Sequence, residues 1–218
     1  MPRTKKAASP PSMTIVHLVR HGQTPSTGKV LPGRAKGLHL AETGRAQAER
    51  AASRLQELSV PPTAVYASPL ERTRETAKPI AKALGLTTKI HRGLLECEFG
   101  EWTGRELKDL MKLPEWQTVQ RAPSLFRFPG GESFSEMQTR AFGAVTEIAA
   151  AHRGESVVVV SHADPIKAVV AAAVGTPLDL FQRLVISPCS ITTLGFSRQG
   201  VIVLSVNTTP SLSELVPS

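Results

Sequence analysis

A chain of 218 residues with 41% hydrophobic and 20% charged side chains holds enough apolar material for one sizeable domain, which excludes a disordered or fibrous polymer. Basic residues outnumber acidic ones 26 to 18, while aromatics make up only 5%, too few to interleave with cations along single-stranded nucleic acid. The most apolar stretch, Ile166 to Val174, is too short to cross a bilayer and carries Lys167.

Residues 1–12 are rich in Lys, Pro and Ser and read as a disordered leader. The body that follows, 13–207, keeps a basic balance. That suits an anionic ligand, whether nucleic acid or a phosphorylated metabolite, as readily as a solubilising surface. The scarcity of aromatics disfavours nucleic acid. Cys97 and Cys189 form no CxxC or Cys/His cluster, and no apolar signal segment opens the chain. Both features point to a reducing cytoplasm without structural zinc.

Thr14 to Val19 is a β-branched run without polar alternation, as expected of a strand buried on both faces. Thr43 to Leu58 places Ala48, Ala51, Ala52, Leu55 and Leu58 at helical spacing. Ala64 to Ala67 reads as a short strand. Ser68-Pro69-Leu70-Glu71 then reads as an N-cap, a first-turn proline and a capping-box glutamate opening a helix. A less regular stretch, Leu94 to Gly131, holds Trp102 and Trp116. Ser133 and Glu136 predict a capped helix with Met137, Ala141, Ala144, Val145 and Ile148 on one face. Val157 to Val160 is a second buried strand, followed by a helix capped by Asp164-Pro165 and stopped at Gly175. Ile191–Phe196 and Val201–Val206 flank a Ser-Arg-Gln-Gly turn and read as an edge hairpin. Strand–helix alternation with buried strands predicts a three-layer α/β/α domain around a mostly parallel sheet.

In such sheets ligands bind beyond the carboxyl ends of the strands. Both buried strands end there in histidine, one as Arg20-His21-Gly22 and the other as Ser161-His162. If the strands are neighbours, the two imidazoles share one crevice with Arg20, and Arg72 joins them from the first turn of its helix, where backbone N–H groups also favour an anion. Two arginines, two histidines and a helix N-terminus describe a phosphate site. Plainer readings stand beside it. His17 reads as a core histidine, His39, His91 and His152 as surface residues, and Arg72 as the partner of Glu75 one turn on.

At this point the sequence resembles the histidine phosphatase superfamily, the phosphoglycerate-mutase-like clan. The resemblance runs from Leu18-Val-Arg-His-Gly-Gln-Thr24 through Leu40 with Thr43-Gly44, Ser68-Pro-Leu-x-Arg72, Leu95-Glu96 to Gly104, and Pro129-Gly-Gly-Glu-Ser133 to Val159-Val-Ser-His162. Segments 96–105 and 128–133 look most like a bacterial branch of small phosphatases often labelled phosphomutases.

The resemblance implies that His21 attacks phosphorus to form a phosphohistidine. Arg20, Arg72 and a protonated His162 surround the phosphate oxygens, and Glu96 passes the proton to the leaving group. Glu98 and Glu101 are solvated neighbours of that acid. Two departures matter. Thr27 stands where the mutases carry asparagine, keeping one donor for phosphate, and Ala163 stands where glycine is usual, keeping its backbone N–H. No metal or other cofactor is implied. The resemblance also implies a small cap insertion around 97–131 and a short tail, 208–218. Over the pocket the cap is expected to present Arg34, Trp102 and Arg105 to substrate, with Trp116, Arg121, Arg127 and Phe128 beside them.

The compact cap and short tail favour hydrolysis of a small phosphorylated metabolite by a cytoplasmic monomer or homodimer. A phosphoryl-shuttling mutase is the alternative, and an inactive binding protein of the same fold the third.

Overall fold

The two valine-rich runs lie side by side in the computed structural model, which describes residues 13–215. The expected leader, 1–12, and the last residues of the tail, 216–218, lie outside the described residues. Strands β1 (Thr14–Arg20) and β4 (Ser156–Ser161) pair in parallel, with Val16 opposite Val157 and Arg20 opposite Ser161. With β2 (Ala64–Ala67), β3 (Thr88–Ile90), β5 (Ile191–Ser197) and β6 (Gly200–Thr208), they form one sheet in the order β3-β2-β4-β1-β5-β6. The first four strands are parallel, and β5 and β6 run antiparallel as the expected hairpin at one edge.

The helices are α1 (Glu42–Gln56), α2 (Glu71–Leu84), α3 (Leu107–Leu110), α4 (Glu115–Arg121), α5 (Phe134–Ala151) and α6 (Ala163–Ala173). Every residue of β4 is buried, and successive side chains alternate between the faces of the sheet. Val158 and Val160 pack with Ala52 and Leu55 of α1 and Ala77 and Ile80 of α2. Val157 and Val159 pack with Ala141, Val145 and Ile148 of α5 and Ile166 and Val169 of α6. The sheet is thus covered on both faces, which is the three-layer architecture expected from the unbroken valine run. Fully burying each such valine stabilises the fold by roughly 1.5–3 kcal/mol.

The local signals fared unevenly. The capping box of α5 forms as read: Ser133 Oγ accepts the Glu136 N–H at 3.1 Å, and Glu136 Oε2 accepts the Ser133 N–H at 2.9 Å. Gly175 follows α6 with φ at 68°, a left-handed conformation that ends the helix. Two expected caps fail. Leu70, not Ser68, precedes the first turn of α2 without a side-chain cap, because the Ser68 hydroxyl is bonded elsewhere. His162 occupies the N-cap position of α6, which puts Asp164 inside the first turn, where its carboxylate meets Lys167 at 3.3 Å.

The irregular stretch builds a core of its own from Cys97, Phe99, Trp102, Leu110, Val119, Phe126 and Phe128 against Phe134 and Met137 of α5. Phe128 lies at its centre, meeting Phe99, Phe126, Phe134 and Trp102 at centroid distances of 4.8, 4.9, 5.2 and 5.4 Å. Edge-to-face contacts of this kind add to simple burial.

Candidate active site

The parallel pairing of β1 with β4 decides where the two histidines go. The ladder continues one residue past β1, where the His21 N–H donates to the Ser161 carbonyl at 2.9 Å. His21 and His162 therefore leave adjacent strand ends together, with ring centroids 5.3 Å apart and planes inclined by 62°. Two glycines allow the turn after His21. A Cβ on Gly22 would sit 2.4 Å from the Gly44 carbonyl oxygen, and one on Gly44 only 2.0 Å from that of Gln23. This backbone-to-backbone approach accounts for the glycine two residues into α1.

His21 is buried, and its Nδ1 lies 2.8 Å from the Gly22 carbonyl oxygen. A carbonyl only accepts, so Nδ1 carries the proton and Nε2 keeps its lone pair. Burial first, then the charges of Arg20 and Arg72, hold the ring well below the ordinary histidine range. The imidazole is neutral, the state in which Nε2 has a lone pair to offer.

His162 is fully buried, with Nε2 2.9 Å from Ser68 Oγ and Nδ1 without a hydrogen-bond partner, 3.9 Å from Glu96 Oε2. Burial, followed by Arg72, His21, Arg20 and Arg140, pushes its pKa well down. The protonated His162 expected around a phosphate therefore depends on an anion to offset those cations. Until a dianion arrives, the desolvated ring among cations is neutral.

Arg72 projects from the first turn of α2 and is 0% exposed. Its Nη2 donates to the Gly33 carbonyl at 2.8 Å, while Nε and Nη1 are buried without partners. The plainer pairing of Arg72 with Glu75 does not form, since Glu75 accepts the Leu40 N–H at 2.8 Å and binds His39. Arg20 likewise donates Nη1 to the Ile186 carbonyl at 2.6 Å and leaves Nε unpartnered. Buried guanidinium donors without acceptors are costly unless an anion supplies them.

Glu96 is buried beside these groups, with Oε1 accepting the Cys97 N–H at 3.0 Å. Burial, then the neighbouring Asp164, raise its carboxyl to about 7 against the opposing pull of Arg72, the Cys97 N–H and Arg20. A carboxyl near neutrality can both give and take a proton at physiological pH. Ala163 is the first residue of α6, where its N–H has no acceptor within the helix. The Thr27 hydroxyl accepts the Thr24 N–H at 2.9 Å and meets Thr24 Oγ1 at 3.0 Å, so it closes its own loop.

Of the side chains expected to face substrate, Trp102 and Phe128 are corrected to core positions within the cap. Trp116 stacks on Trp102. Arg34 is bonded through Nε, Nη1 and Nη2 to the Glu96 carbonyl, Glu98 and Glu132. Arg127 binds the Gly131 carbonyl and Glu136. Arg105 and Arg121 are exposed on the cap. Ser68, Glu132 and Arg140 were missed. Ser68 directly follows the carboxyl end of β2, a position that could have marked it as a site residue rather than a cap. Among the described residues, no three His, Cys, Asp or Glu side chains are grouped as metal ligands, and no helix is long and apolar enough to cross a membrane.

Known proteins resemble this chain in sequence and in fold. The chain is 32% identical over 209 residues to phosphoserine phosphatase 1 of Hydrogenobacter thermophilus, covering 93% of this chain and 96% of that protein. It is also 32% identical over 182 residues to the "probable phosphoglycerate mutase GpmB" of Erwinia tasmaniensis, covering 82% and 83%. The solved structure of a mycobacterial glucosyl-3-phosphoglycerate phosphatase superposes with a TM-score of 0.81 at 25% identity, over 90% of this chain and 100% of that one. Residues 16–209 match the model of the histidine phosphatase superfamily (branch 1), and the chain, with its two strand-end histidines, two arginines and raised carboxyl gathered at one end of the sheet, belongs to that family.

Proposed function

We propose that this protein hydrolyses a small phosphomonoester through a phosphohistidine, without a metal. One observation carries the reading: the Nδ1–H of His21 is tied to the Gly22 carbonyl, so Nε2 keeps its lone pair beside the unpartnered buried donors of Arg72 and Arg20. His21 Nε2 attacks phosphorus, the P–O bond to the leaving group breaks, and Glu96 delivers its proton to the departing alkoxide. The ionised Glu96 then takes a proton from a water that attacks the phosphohistidine, releasing inorganic phosphate and restoring His21. Arg72 Nε and Nη1, Arg20 Nε and the Ala163 N–H supply donors to the phosphoryl oxygens, and the Thr27 hydroxyl joins them by turning its proton away from Thr24 Oγ1. The incoming dianion offsets the cations that hold His162 neutral, so Nδ1 gains a proton as phosphate binds.

The names of the relatives make phosphoserine and phosphoglycerates the first substrates to try. The two buried free cysteines suit a reducing cytoplasm, and a monomer or homodimer suffices for the chemistry. The test is a panel of phosphorylated metabolites assayed for phosphate release, with rapid-quench mass spectrometry of the enzyme. We expect one phosphate on His21 during turnover, and neither adduct nor turnover in His21→Ala. Activity retained in His21→Ala overturns the reading. Phosphoryl transfer to a second hydroxyl of the substrate, without net release, replaces hydrolysis by the mutase reaction.

A further inference from the structure

The segment carrying Glu96 has little regular structure of its own, being preceded by the single 3-10 turn Arg92–Leu94, so its carbonyls must find partners elsewhere. Arg140 of α5 supplies most of them. Its Nη1 donates to the carbonyls of Gly93 at 2.8 Å and Leu95 at 2.9 Å, and its Nη2 to that of Glu96 at 3.4 Å. Arg34 Nε donates to the same Glu96 carbonyl at 2.8 Å.

Glu132 joins the two arginines. Its Oε1 accepts from Arg140 Nε at 2.8 Å, and its Oε2 from Arg140 Nη2 at 2.9 Å and Arg34 Nη2 at 3.0 Å. The backbone of Glu98 is gripped as well, giving its N–H to Glu132 Oε2 at 3.2 Å and accepting the Glu132 N–H at 2.8 Å. Burial alone would raise the Glu132 carboxyl, but the hydrogen bonds and charge of Arg140, with Arg34, hold it below the ordinary range. Glu98 pairs with Arg34 at 2.9 Å, so two cations are balanced by two anions. The assembly braces the backbone beside Glu96 without adding net charge.

We propose that Arg34, Glu132 and Arg140 are positioning residues. Through the Glu96 carbonyl they hold the Glu96 carboxyl where the leaving group departs, without touching substrate themselves. The inference rests on Glu96 being the proton donor. A general acid works only within hydrogen-bonding reach, and a shift of about 1 Å can cost on the order of 10²-fold in rate.

Glu132→Gln keeps the shape of the link but removes its charge, and Arg140→Lys keeps the charge but removes the fork that reaches three carbonyls. The groups facing the Glu96 carboxyl are Arg20 from β1, Arg72 from α2, and Asp164 and His162 at the start of α6, while Arg34 and Arg140 lie on its backbone carbonyl. With the Glu132 charge gone, the two brace arginines favour the Glu96 carboxylate.

Single-turnover phosphorylation of His21 is measured with the best alkyl phosphate from the substrate panel and with p-nitrophenyl phosphate, whose leaving group needs no proton. Both variants should lose about 10- to 100-fold with the alkyl phosphate, keep its KM, and lose little with p-nitrophenyl phosphate. In Glu132→Gln the alkaline limb of kcat should also move to lower pH. Melting curves identify folded variants, and Arg34→Lys serves if Arg140→Lys does not fold. Equal losses on both substrates, a loss confined to KM, or no loss overturns the proposal. Glu96→Gln is run alongside. Leaving-group selectivity there but not in the brace variants overturns the brace alone, whereas its absence from Glu96→Gln overturns both readings.

Discussion

Glu96 Oε2 stands 3.9 Å from His162 Nδ1, too far for a hydrogen bond between them, with both side chains buried. An oxygen at the apex of that gap lies within hydrogen-bonding reach of both groups. The carboxyl and the imidazole thus face the same point from two segments, one ahead of the cap core and one at the start of α6.

Glu96→Gln removes the proton donor and keeps its shape. Phosphorylation by an alkyl phosphate should slow by roughly 10²–10⁴-fold, the usual contribution of a positioned acid. With p-nitrophenyl phosphate the loss should be far smaller. The folded carboxyl is raised to about 7, so the active protonated form is lost as pH rises through that value. In wild type, kcat/KM for the alkyl substrate should therefore decline above about 7, and the decline should vanish in Glu96→Gln. A pH profile of both enzymes checks this.

Arg72→Lys should lower kcat by roughly 10²-fold or more, in line with loss of a transition-state donor. Two unpartnered nitrogens on one planar group become a single point charge that cannot grip two oxygens. Steady-state kinetics with the best substrate decide the matter, and near-normal values would remove Arg72 from the phosphate site.

Exhaustive treatment with EDTA should leave activity at the untreated level, because the charge neutralisation at the phosphate is assigned to Arg20, Arg72 and His162. Restoration of activity by added magnesium or zinc would contradict that assignment.

Gly44→Ala places a methyl group 2.0 Å from the Gln23 carbonyl oxygen, a backbone atom that cannot rotate away. We expect a loss of roughly 3 kcal/mol or more, which for a domain of this size lowers Tm by roughly 6–12 °C. Calorimetry measures the loss. The shift should reach His21 through Gly22 and Gln23, so kcat should fall even where the variant is fully folded.

Where long-range order is set by burial, the sequence was readable. Unbroken β-branched runs placed β1 and β4 inside the sheet, and the strand-end histidines followed from them. Local polar signals were ambiguous, because Ser68 and Asp164 occupy positions where a cap and a site residue look alike. Only the fold shows that the Ser68 hydroxyl faces His162. The cap misled for a different reason. Trp102 and Phe128 read equally well as core or as pocket lining, and the partners of Arg34 lie far along the chain, at Glu96, Glu98 and Glu132. No periodicity encodes such a contact.

The parallel pairing of β1 with β4 also bears on how the protein comes into being. Its two histidines are separated by more than half the chain, so bringing them together means closing a very long loop before any favourable contact between those strands is gained. A hairpin can zip up as soon as it leaves the ribosome, but this strand pair cannot. During synthesis the paired histidines do not face each other until β4 has emerged and docked. His21, His162 and the arginines around them therefore first meet at a late stage, when the sheet around them is nearly complete.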